Sequence, residues 1–190
     1  HLKASNESLL DTYDTQLITL SKSLSHVRAD FVDKFVPFLS ANEGLIVFEH
    51  ETCSMTYQSQ ILAGDFEHTF LESRKKDLLT LRTNVGSHKD DYSFLMDGQP
   101  LKKFGSQGQQ KSFLIALRLS QYDYLAKATQ TKPMLLLDDI FDKLDDERIG
   151  RLTDLLSDSA RFGQVFITDA RKERSSLLMK GKHNAKIFEI

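Results

Sequence analysis

One unbroken apolar run, followed directly by two aspartates, constrains this chain more than any other stretch. Met134 to Leu137 are all apolar, Pro133 precedes them, and Asp138 and Asp139 come next. Such a run predicts a strand that is buried on both faces, as in a parallel sheet covered by helices. Open α/β sheets bind ligands beyond the carboxyl ends of their strands, and this is where the two carboxylates are expected.

The two aspartates allow two interpretations. A buried carboxylate without a partner is costly, so Asp138 and Asp139 would imply a cation or a hydrogen-bonding ligand. Because successive strand residues point to opposite faces, both acids can serve one site only where the strand is ending. The alternative is a strand followed by a solvated acidic turn. These residues alone do not decide between the two.

The composition limits the classes of protein to consider. The chain has 190 residues, which is enough for one domain with a sizeable core or for a domain with an appendage. The formal net charge is -2, so nucleic-acid binding would have to depend on local basic patches. Cys53 is the only cysteine, which excludes an internal disulfide and a cysteine-rich zinc site and fits a cytoplasmic setting. No apolar run predicts a membrane span.

The first predicted element is a long helix from about Asn6 to Leu39. Its apolar residues alternate spacings of three and four, which is a heptad seam over about three heptads. The helix either packs on its own domain or forms a coiled-coil arm with a partner helix, and both arrangements stay open. Pro37 and the turn from Asn42 to Gly44 are expected to end it. The seam residues are Leu10, Tyr13, Leu17, Leu20, Leu24, Val27 and Phe31.

Two short hairpins and a second helix are predicted before residue 105. The second helix has Asp65 as its expected N-cap and ends by Gly86. The Asp97-Gly98 pair is a strong hairpin-turn signal. The strands expected in the two hairpins are Leu45 to Phe48 with Met55 to Gln60, and Tyr92 to Met96 with Leu101 to Phe104.

Gly105 to Gln109 opens a strongly apolar helix. Ser106 and Gln109 fit a capping box, which is a purely structural explanation for both residues. The box does not explain Gly108, since glycine inside the first turn costs about 1 kcal/mol relative to alanine. Close approach of an anion to the free N–H groups of the helix start would explain it. Lys111 near the same end also favours a bound anion, so we predict a phosphate contact.

The last third of the chain alternates strands and helices, which predicts a parallel sheet with right-handed crossovers. Asp139 and Asp169 would both follow strands and lie on one edge of that sheet. The elements expected after the central strand are a helix that the segment Leu144 to Glu147 caps and Gly163 ends, a strand from Gln164 to Thr168, a helix from Ala170 to Met179, and a strand from Lys186 to Ile190.

Three segments in this order resemble the ATP-binding-cassette (ABC) ATPases of the chromosome-maintenance and repair class. Residues 106–109 are similar to the signature motif, the strand ending in Asp138 and Asp139 to Walker B, and Leu144-Asp145 to the D-loop. The resemblance is strong over residues 84–170 and weaker before them.

Within that class the chain is most similar to the RecF family. Residues 86–91 are similar to that family's Gly-Pro-His-Arg-Asp-Asp, with Ser87 in place of the proline and Lys89 in place of the arginine. Asp169 stands where the family's strand leads into Thr or His, which is a further departure.

The resemblance implies a role for each matched residue. Asp138 would hold Mg²⁺, usually through water, and Asp139 would orient or activate the attacking water. Ser106 and Gly108 would contact the γ-phosphate of ATP bound to the other subunit, and Asp145 would communicate across that interface. The nucleotide-binding set implied in this way is Ser106, Gln107, Gly108, Gln109, Lys111, Asp145 and Asp169.

The resemblance also implies an α/β fold, namely the C-terminal half of an ABC-type P-loop ATPase head with an N-terminal helical lobe or arm. Residues 1–83 would form the lobe or arm with a small hairpin, and residues 84–190 would form half of the head. The sequence contains no Gly-x-x-x-x-Gly-Lys-Ser/Thr motif. Walker A is therefore expected upstream, and this chain alone is not expected to hydrolyse ATP, because that loop supplies much of the positioning.

The whole protein would then be an ATP-dependent, DNA-binding recombination mediator, acting in repair and replication at single-strand gaps as a weak DNA-dependent ATPase. Its expected partners are double-stranded DNA and single/double-strand junctions, a second copy joined by ATP and Mg²⁺, and RecR-type and RecO-type proteins. A metal-dependent nuclease and a non-catalytic interaction module are the alternatives. The basic residues considered for DNA contact are Arg171, Lys172, Arg174, Lys180, Lys182 and Lys186.

Overall fold

The computed structural model of the chain describes residues 2–46, 52–141, 144–170 and 186–188. Among these residues, no helix combines the length and apolarity that a membrane span needs. The elements are α1 (Leu2–Ile46), β1 (Cys53–Gln58), α2 (Phe66–Thr80), a 3-10 helix (Ser87–Lys89), β2 (Asp91–Met96), β3 (Gln99–Pro100), α3 (Leu101–Phe104), α4 (Gln107–Thr129), β4 (Met134–Asp138), α5 (Asp146–Leu156) and β5 (Gln164–Thr168).

The chain folds into two compact units. The first comprises residues 1–34 and 55–94, and the second comprises residues 35–54 and 95–190. One sheet has the strand order β1-β2-β3, and the other pairs β4 with β5. The boundary between residues 83 and 84 that the sequence predicts concerns the domains of the whole protein and stays a prediction.

Helix α1 is longer than the sequence indicates, because it continues through Pro37 to Ile46. A proline in a helix removes one backbone donor and costs about 3 kcal/mol. Residues of the second unit offset this cost: Ser120 Oγ donates to the Phe38 carbonyl at 3.0 Å, and Leu39 is only 1% exposed. Leu45 and Ile46 are therefore helical, and the strand predicted there is wrong for them. Its remaining residues, 47 and 48, lie outside the described residues.

The last turns of α1 are also held by a polar network. Asn42 Nδ2 donates to Asp123 Oδ2 at 2.8 Å and to the Phe38 carbonyl at 2.9 Å. Arg161 donates to the same carboxylate at 2.6 Å and also to Asn42 Oδ1. A predicted turn residue, Asn42, thus stabilises the helix that it was expected to end.

In the first unit, α1 packs through a stripe other than the predicted seam. Ile18 belongs to a small core with Ile61, Phe66 and Phe70. The seam itself is largely exposed, and Leu20 is 65% exposed. The part of α1 that belongs to the first unit therefore packs on that unit's core, which is one of the two alternatives. Pairing of the seam with another helix stays a prediction.

Asp90 connects three elements of the first unit. Its carboxylate oxygen Oδ2 accepts hydrogen bonds from Ser25 Oγ at 3.0 Å, Arg28 Nη1 at 3.2 Å and the Tyr57 hydroxyl. Arg28 also donates to the Ser87 carbonyl at 2.7 Å. Interaction with Tyr57 is the largest cause that raises the pKa of Arg28 above its ordinary value, and the charge of Asp90 acts in the same direction. The segment 86–91 is thereby fixed to α1 and β1.

The second hairpin differs from its prediction after the turn. Asp97 and Gly98 have φ values of 51° and 75°, as a tight hairpin turn requires. Pro100 cannot donate to a strand ladder, and β3 ends there after two residues. Leu101 then begins the short helix α3, where its side chain is buried, so the strand predicted at Leu101 to Phe104 is wrong.

The second unit is built on the parallel pair β4–β5, whose register aligns Asp138 with Thr168. Its core is made by one face of this pair together with α4 and α5. Leu136 on the other face is 70% exposed, so the prediction that β4 is buried on both faces is wrong for the described residues. The core residues are Ile115, Leu119, Tyr122, Leu135, Ile140, Phe141, Leu144, Ile149, Leu152 and Phe162.

The predictions for the last part of the chain are only partly covered. The helix expected at residues 171–179 lies outside the described residues. Lys186 to Phe188 are described and form no strand, contrary to the prediction, and residues 189 and 190 are outside them.

Replacing Asp90 by alanine is expected to destabilise the protein by about 2–3 kcal/mol, because the half-buried Arg28 and the hydroxyls of Ser25 and Tyr57 lose their acceptor. The side chain of Asp90 is 2% exposed, whereas its neighbour Asp91 is exposed. Asp91→Ala is the matched control and should change stability by about 0.5 kcal/mol or less. Urea unfolding of both variants measures the difference. Equal effects would show that the Asp90 contacts do not stabilise this unit.

Candidate nucleotide-binding site

Asp138 and Asp139 lie where β4 ends, beside the end of β5. The Thr168 hydroxyl donates to Asp138 Oδ1, and the Asp139 N–H donates to the Thr168 carbonyl at 3.1 Å. Both aspartates are exposed. The expectation that these carboxylates are buried and therefore need a ligand is wrong, because water reaches both residues. What they share is a fixed position at the edge of the parallel pair.

The backbone turns sharply at Asp139, which has φ of 46°. This left-handed conformation costs a non-glycine residue about 1–2 kcal/mol. The next two residues, Ile140 and Phe141, are buried in the core and hold the turn in place. Because Asp139 has left strand geometry, the alternation of side chains between the two faces stops at Asp138. This meets the condition for both carboxylates to serve one site.

Lys111 connects this turn to helix α4. Its Nζ donates to the Asp139 carbonyl at 3.2 Å. The sequence predicts that a bound anion compensates for the unfavourable charge of a lysine near a helix start. In the structure, the Asp139 carbonyl oxygen provides part of that compensation. The phosphate contact of Lys111 stays a prediction.

The start of α4 has the capping box that the sequence predicts. Gln109 N donates to Ser106 Oγ at 3.1 Å, and Ser106 N donates to Gln109 Oε1 at 2.8 Å. Gln107 and Gly108 form the beginning of the first turn. The side chains of Ser106 and Gln109 thus satisfy backbone groups at the start of the helix.

Gly105 lies where the chain passes very close to α3. A Cβ there would come within 2.6 Å of Leu101 Cδ1 and 2.7 Å of the Leu101 carbonyl oxygen. The backbone conformation itself suits any residue, with φ of -72°, so space alone requires a glycine. Sequence reasoning treated Gly105 only as the first residue of the segment. A glycine directly before an N-cap was the signal that could have identified it.

Asp145 is the N-cap of α5. Its Oδ1 accepts from Arg148 N at 2.8 Å, and its Oδ2 accepts from Arg148 Nη1 at 3.3 Å. The residue is exposed, and Leu144 before it is buried. The cap is confirmed, and the role of Asp145 across an interface stays a prediction.

Asp169 follows β5 and is half-buried. Because Asp138 is aligned with Thr168 in a parallel pair, Asp139 and Asp169 follow the two strands on the same edge, as predicted. However, Thr168 is the residue that contacts both Asp138 and Asp139. Sequence reasoning missed it, although a threonine at the end of the neighbouring strand was a usable signal.

The side chains of Asp138, Asp139 and Thr168 offer oxygen atoms, which are the ligands that Mg²⁺ prefers. Among the described ranges, no three His, Cys, Asp or Glu residues group as a metal cluster. Mg²⁺ prefers oxygen ligands and commonly keeps several waters, with one or two carboxylates from the protein. An exposed carboxylate that the Thr168 hydroxyl orients therefore fits the predicted role of Asp138, mostly through water.

Gly105→Ala is expected to destabilise the protein by about 1–3 kcal/mol, because the new methyl group overlaps the Leu101 carbonyl. Gly150, inside α5, provides the control, because a Cβ added there would have no atom within 4 Å. Gly150→Ala should increase stability by about 0.5–1 kcal/mol, since alanine favours the helix. Thermal unfolding compares the two variants. A Gly105→Ala protein as stable as the unmodified one would mean that α3 moves aside at no cost.

The chain is similar to curated proteins called DNA replication and repair protein RecF, although no family model matches it. The protein from Cytophaga hutchinsonii is 43% identical over 182 residues, which is 96% of this chain and 48% of the relative. The protein from Flavobacterium johnsoniae is 41% identical over 182 residues, which is 95% of this chain and 50% of the relative. The chain thus spans about half the length of the curated relatives it matches.

Two solved structures share the fold. A structure of the recombination mediator RecF with ATPrS covers 88% of this chain at 25% identity with a TM-score of 0.71, and the match covers 46% of that protein's chain. A structure from a study of SMC ATPases covers 84% of this chain and 78% of its own, with a TM-score of 0.51 and 13% identity, which shows the fold alone. These findings confirm both the resemblance and the fold class: the chain shares its α/β fold with part of ABC-type ATPase heads, is homologous to RecF over nearly its whole length, and is consistent with the C-terminal half of a RecF protein.

Proposed function

We propose that this chain supplies the signature and Walker B half of the ATPase head of a DNA-binding recombination mediator. The observation that carries this proposal is the position of Asp138 and Asp139, which Thr168 and Lys111 fix beside the start of α4. The similarity to RecF supports the assignment to DNA repair and replication.

At the Walker B end, the residues of this chain would position a metal ion and a water molecule. Mg²⁺, when bound, supplies positive charge that neutralises the phosphate oxygens. Asp138 would hold that ion, and the Thr168 hydroxyl fixes the orientation of its carboxylate. Asp139 would accept a hydrogen bond from the attacking water and orient it. Most of the catalytic effect in such sites comes from positioning and electrostatics, so small displacements matter.

At the signature end, capping and phosphate binding are compatible. A serine hydroxyl has one donor and two acceptor positions. Ser106 Oγ accepts from Gln109 N, which leaves its hydrogen for an oxygen of the ligand. The helix start adds N–H groups and partial positive charge for an anion. The start of α4 would therefore contact the γ-phosphate of ATP bound to a second copy, and this contact would hold the ATP-dependent homodimer together. Gly108 would let the phosphate approach the backbone closely, and Asp145 would lie near the interface.

The wider activity concerns the whole protein. We propose double-stranded DNA and single/double-strand junctions as its DNA ligands, RecR-type and RecO-type proteins as its partners, and the cytoplasm as its location. Of the basic residues considered for DNA contact, only Lys186 lies within the described residues, and it is exposed. No observation in the described part favours the nuclease or the non-catalytic alternative over this proposal.

ATP is expected to join two copies of the full-length protein, and a negative charge at residue 106 is expected to prevent this. Asp and Asn are as good N-caps as Ser, so Ser106→Asp and Ser106→Asn both keep the helix start. Only the aspartate repels a phosphate. Light scattering with and without MgATP should therefore show dimers for the unmodified protein and the asparagine variant, and monomers for Ser106→Asp.

Two results would count against this prediction. If Ser106→Asp dimerises as well as the unmodified protein, Ser106 only caps the helix. If MgATP leaves the mass of the unmodified protein unchanged, the ATP-driven dimer itself is wrong.

Thr168→Val should impair ATP hydrolysis while keeping the shape of the side chain. The variant loses the hydroxyl that orients Asp138, and losing such a contact near a metal ligand typically costs roughly 10–100-fold in metal affinity or activity. We expect a higher Mg²⁺ requirement and a lower kcat, both measured on the full-length protein with a titration of Mg²⁺. Thr168→Ser restores the donor and should behave like the unmodified protein. An unchanged Mg²⁺ titration for the valine variant would exclude this role.

A further inference from the structure

One side chain joins the two ends of the candidate site within this chain. Lys111 belongs to the second turn of α4, just after the signature segment (residues 106–109), and its Nζ donates to the Asp139 carbonyl at 3.2 Å. Asp139 is the residue proposed to orient the attacking water. The contact therefore links residues 106–109, which would bind the ATP of a second copy, to the turn at Asp139, which would act on a different ATP molecule.

The backbone of Asp139 is held on both sides. Its N–H donates to the Thr168 carbonyl at 3.1 Å, and its own carbonyl accepts from Lys111. The residue has φ of 46°, in the left-handed region, which aspartate enters more readily than most residues but which is still less favourable than the right-handed region. Such a conformation persists only where the surroundings impose it. Removing one of the two contacts should therefore let the turn relax and move the carboxylate.

Lys111 is well placed to impose that geometry. The residues that follow it on α4, Ser112 and Phe113, are buried, so the helix is anchored just after Lys111, whereas the turn before it is more exposed. Lys111 lies in the second turn, where the unfavourable effect of the helix dipole is already weak, but its side chain loses conformational entropy when it is held in one position. The carbonyl of Asp139 offers the compensation. A strained turn and an otherwise unfavourable lysine thus stabilise one another.

We infer that Lys111 is a positioning residue, which holds Asp139 in its active geometry and couples it to the signature segment of the same chain. This inference rests on the proposed function, in which the signature segment contacts the ATP of a second copy. Each chain would then serve two nucleotides, one with residues 106–109 and the other with Asp138 and Asp139. A displacement of the start of α4 by the first nucleotide reaches the carboxylate for the second through Lys111.

A direct phosphate contact is the competing role for Lys111, and kinetics separate the two. A lysine that binds phosphate contributes to nucleotide affinity and to the ATP-dependent dimer. A lysine that positions Asp139 contributes to the chemical step, so its loss lowers kcat while leaving KM and dimerisation nearly unchanged.

The test uses the full-length protein with Lys111→Met, which keeps the length of the side chain but removes its donor. Lys111→Arg restores a charged donor. Lys102→Met removes an exposed lysine from α3 and is the matched control for loss of charge. For each variant, kcat and KM for ATP are measured at saturating DNA, and light scattering with MgATP gives the mass. Thermal unfolding checks that each variant is folded. If Lys111→Met does not fold, Lys111→Gln replaces it in the experiment.

The expected result for Lys111→Met is a fall in kcat of roughly tenfold or more, since small misplacements of catalytic groups have effects of this size. KM and the dimer should persist, Lys111→Arg should recover most of the rate, and Lys102→Met should match the unmodified protein. An unchanged kcat for Lys111→Met, or a loss of dimer together with a raised KM, overturns the inference and leaves the proposed function standing. If the unmodified protein neither dimerises with MgATP nor hydrolyses ATP, the proposed function fails, and the inference fails with it.

Discussion

The alignment of Asp138 with Thr168 in the parallel pair β4–β5 is the constraint on which the candidate site depends. Parallel pairing brings two strand ends to one edge, so the hydroxyl of Thr168 meets Asp138 and its carbonyl meets the N–H of Asp139. A shift of the register by one residue would turn every side chain of the strand to the other face. The buried residues Leu135 and Phe141 oppose such a shift, so packing of the core also fixes the chemistry at its edge.

The candidate site also shows why a structural explanation and a functional one need not exclude each other. Ser106 caps α4, and the same cap orders the N–H groups that an anion would meet. Asp145 caps α5 in the same way. In both places a residue from a segment that resembles a functional motif accepts a hydrogen bond from a backbone N–H in the first turn of its helix. A substitution that keeps the cap but changes the charge is therefore more informative than alanine, which removes both functions together.

The parts of the fold that the sequence predicted correctly are those with local signals. The capping box at Ser106, the apolar run of β4 and the turn at Asp97-Gly98 depend on neighbouring residues, and each is present. The predicted end of α1 is wrong because it relied on Pro37, which is a local signal. The helix continues because Phe38 and Asn42 contact residues more than 80 positions away, and a local pattern does not show such contacts.

The same reasoning explains which parts of the site were missed. Thr168 and Lys111 act on Asp139 from separate elements, one on β5 and one on α4, and only the folded chain brings them together. The sequence did indicate that Lys111 needs a compensating partner, and it suggested an anion because helix starts attract anions. A backbone carbonyl can provide the same compensation, but no sequence pattern distinguishes the two acceptors.

The segment 86–91 illustrates how little a resemblance alone says about a residue's role. Asp90 and Asp91 are adjacent and chemically identical, yet the first has a buried side chain with three donors and the second is exposed. A buried carboxylate that accepts hydrogen bonds from two elements, α1 and β1, fixes those elements in position, and removing it leaves the partners unsatisfied. Within the first unit, the motif therefore has a structural use through Asp90 Oδ2, whereas Asp90 Oδ1 is buried without a hydrogen-bond partner among the described residues. His88, Lys89 and Asp91 of the same segment are exposed and accessible to a partner.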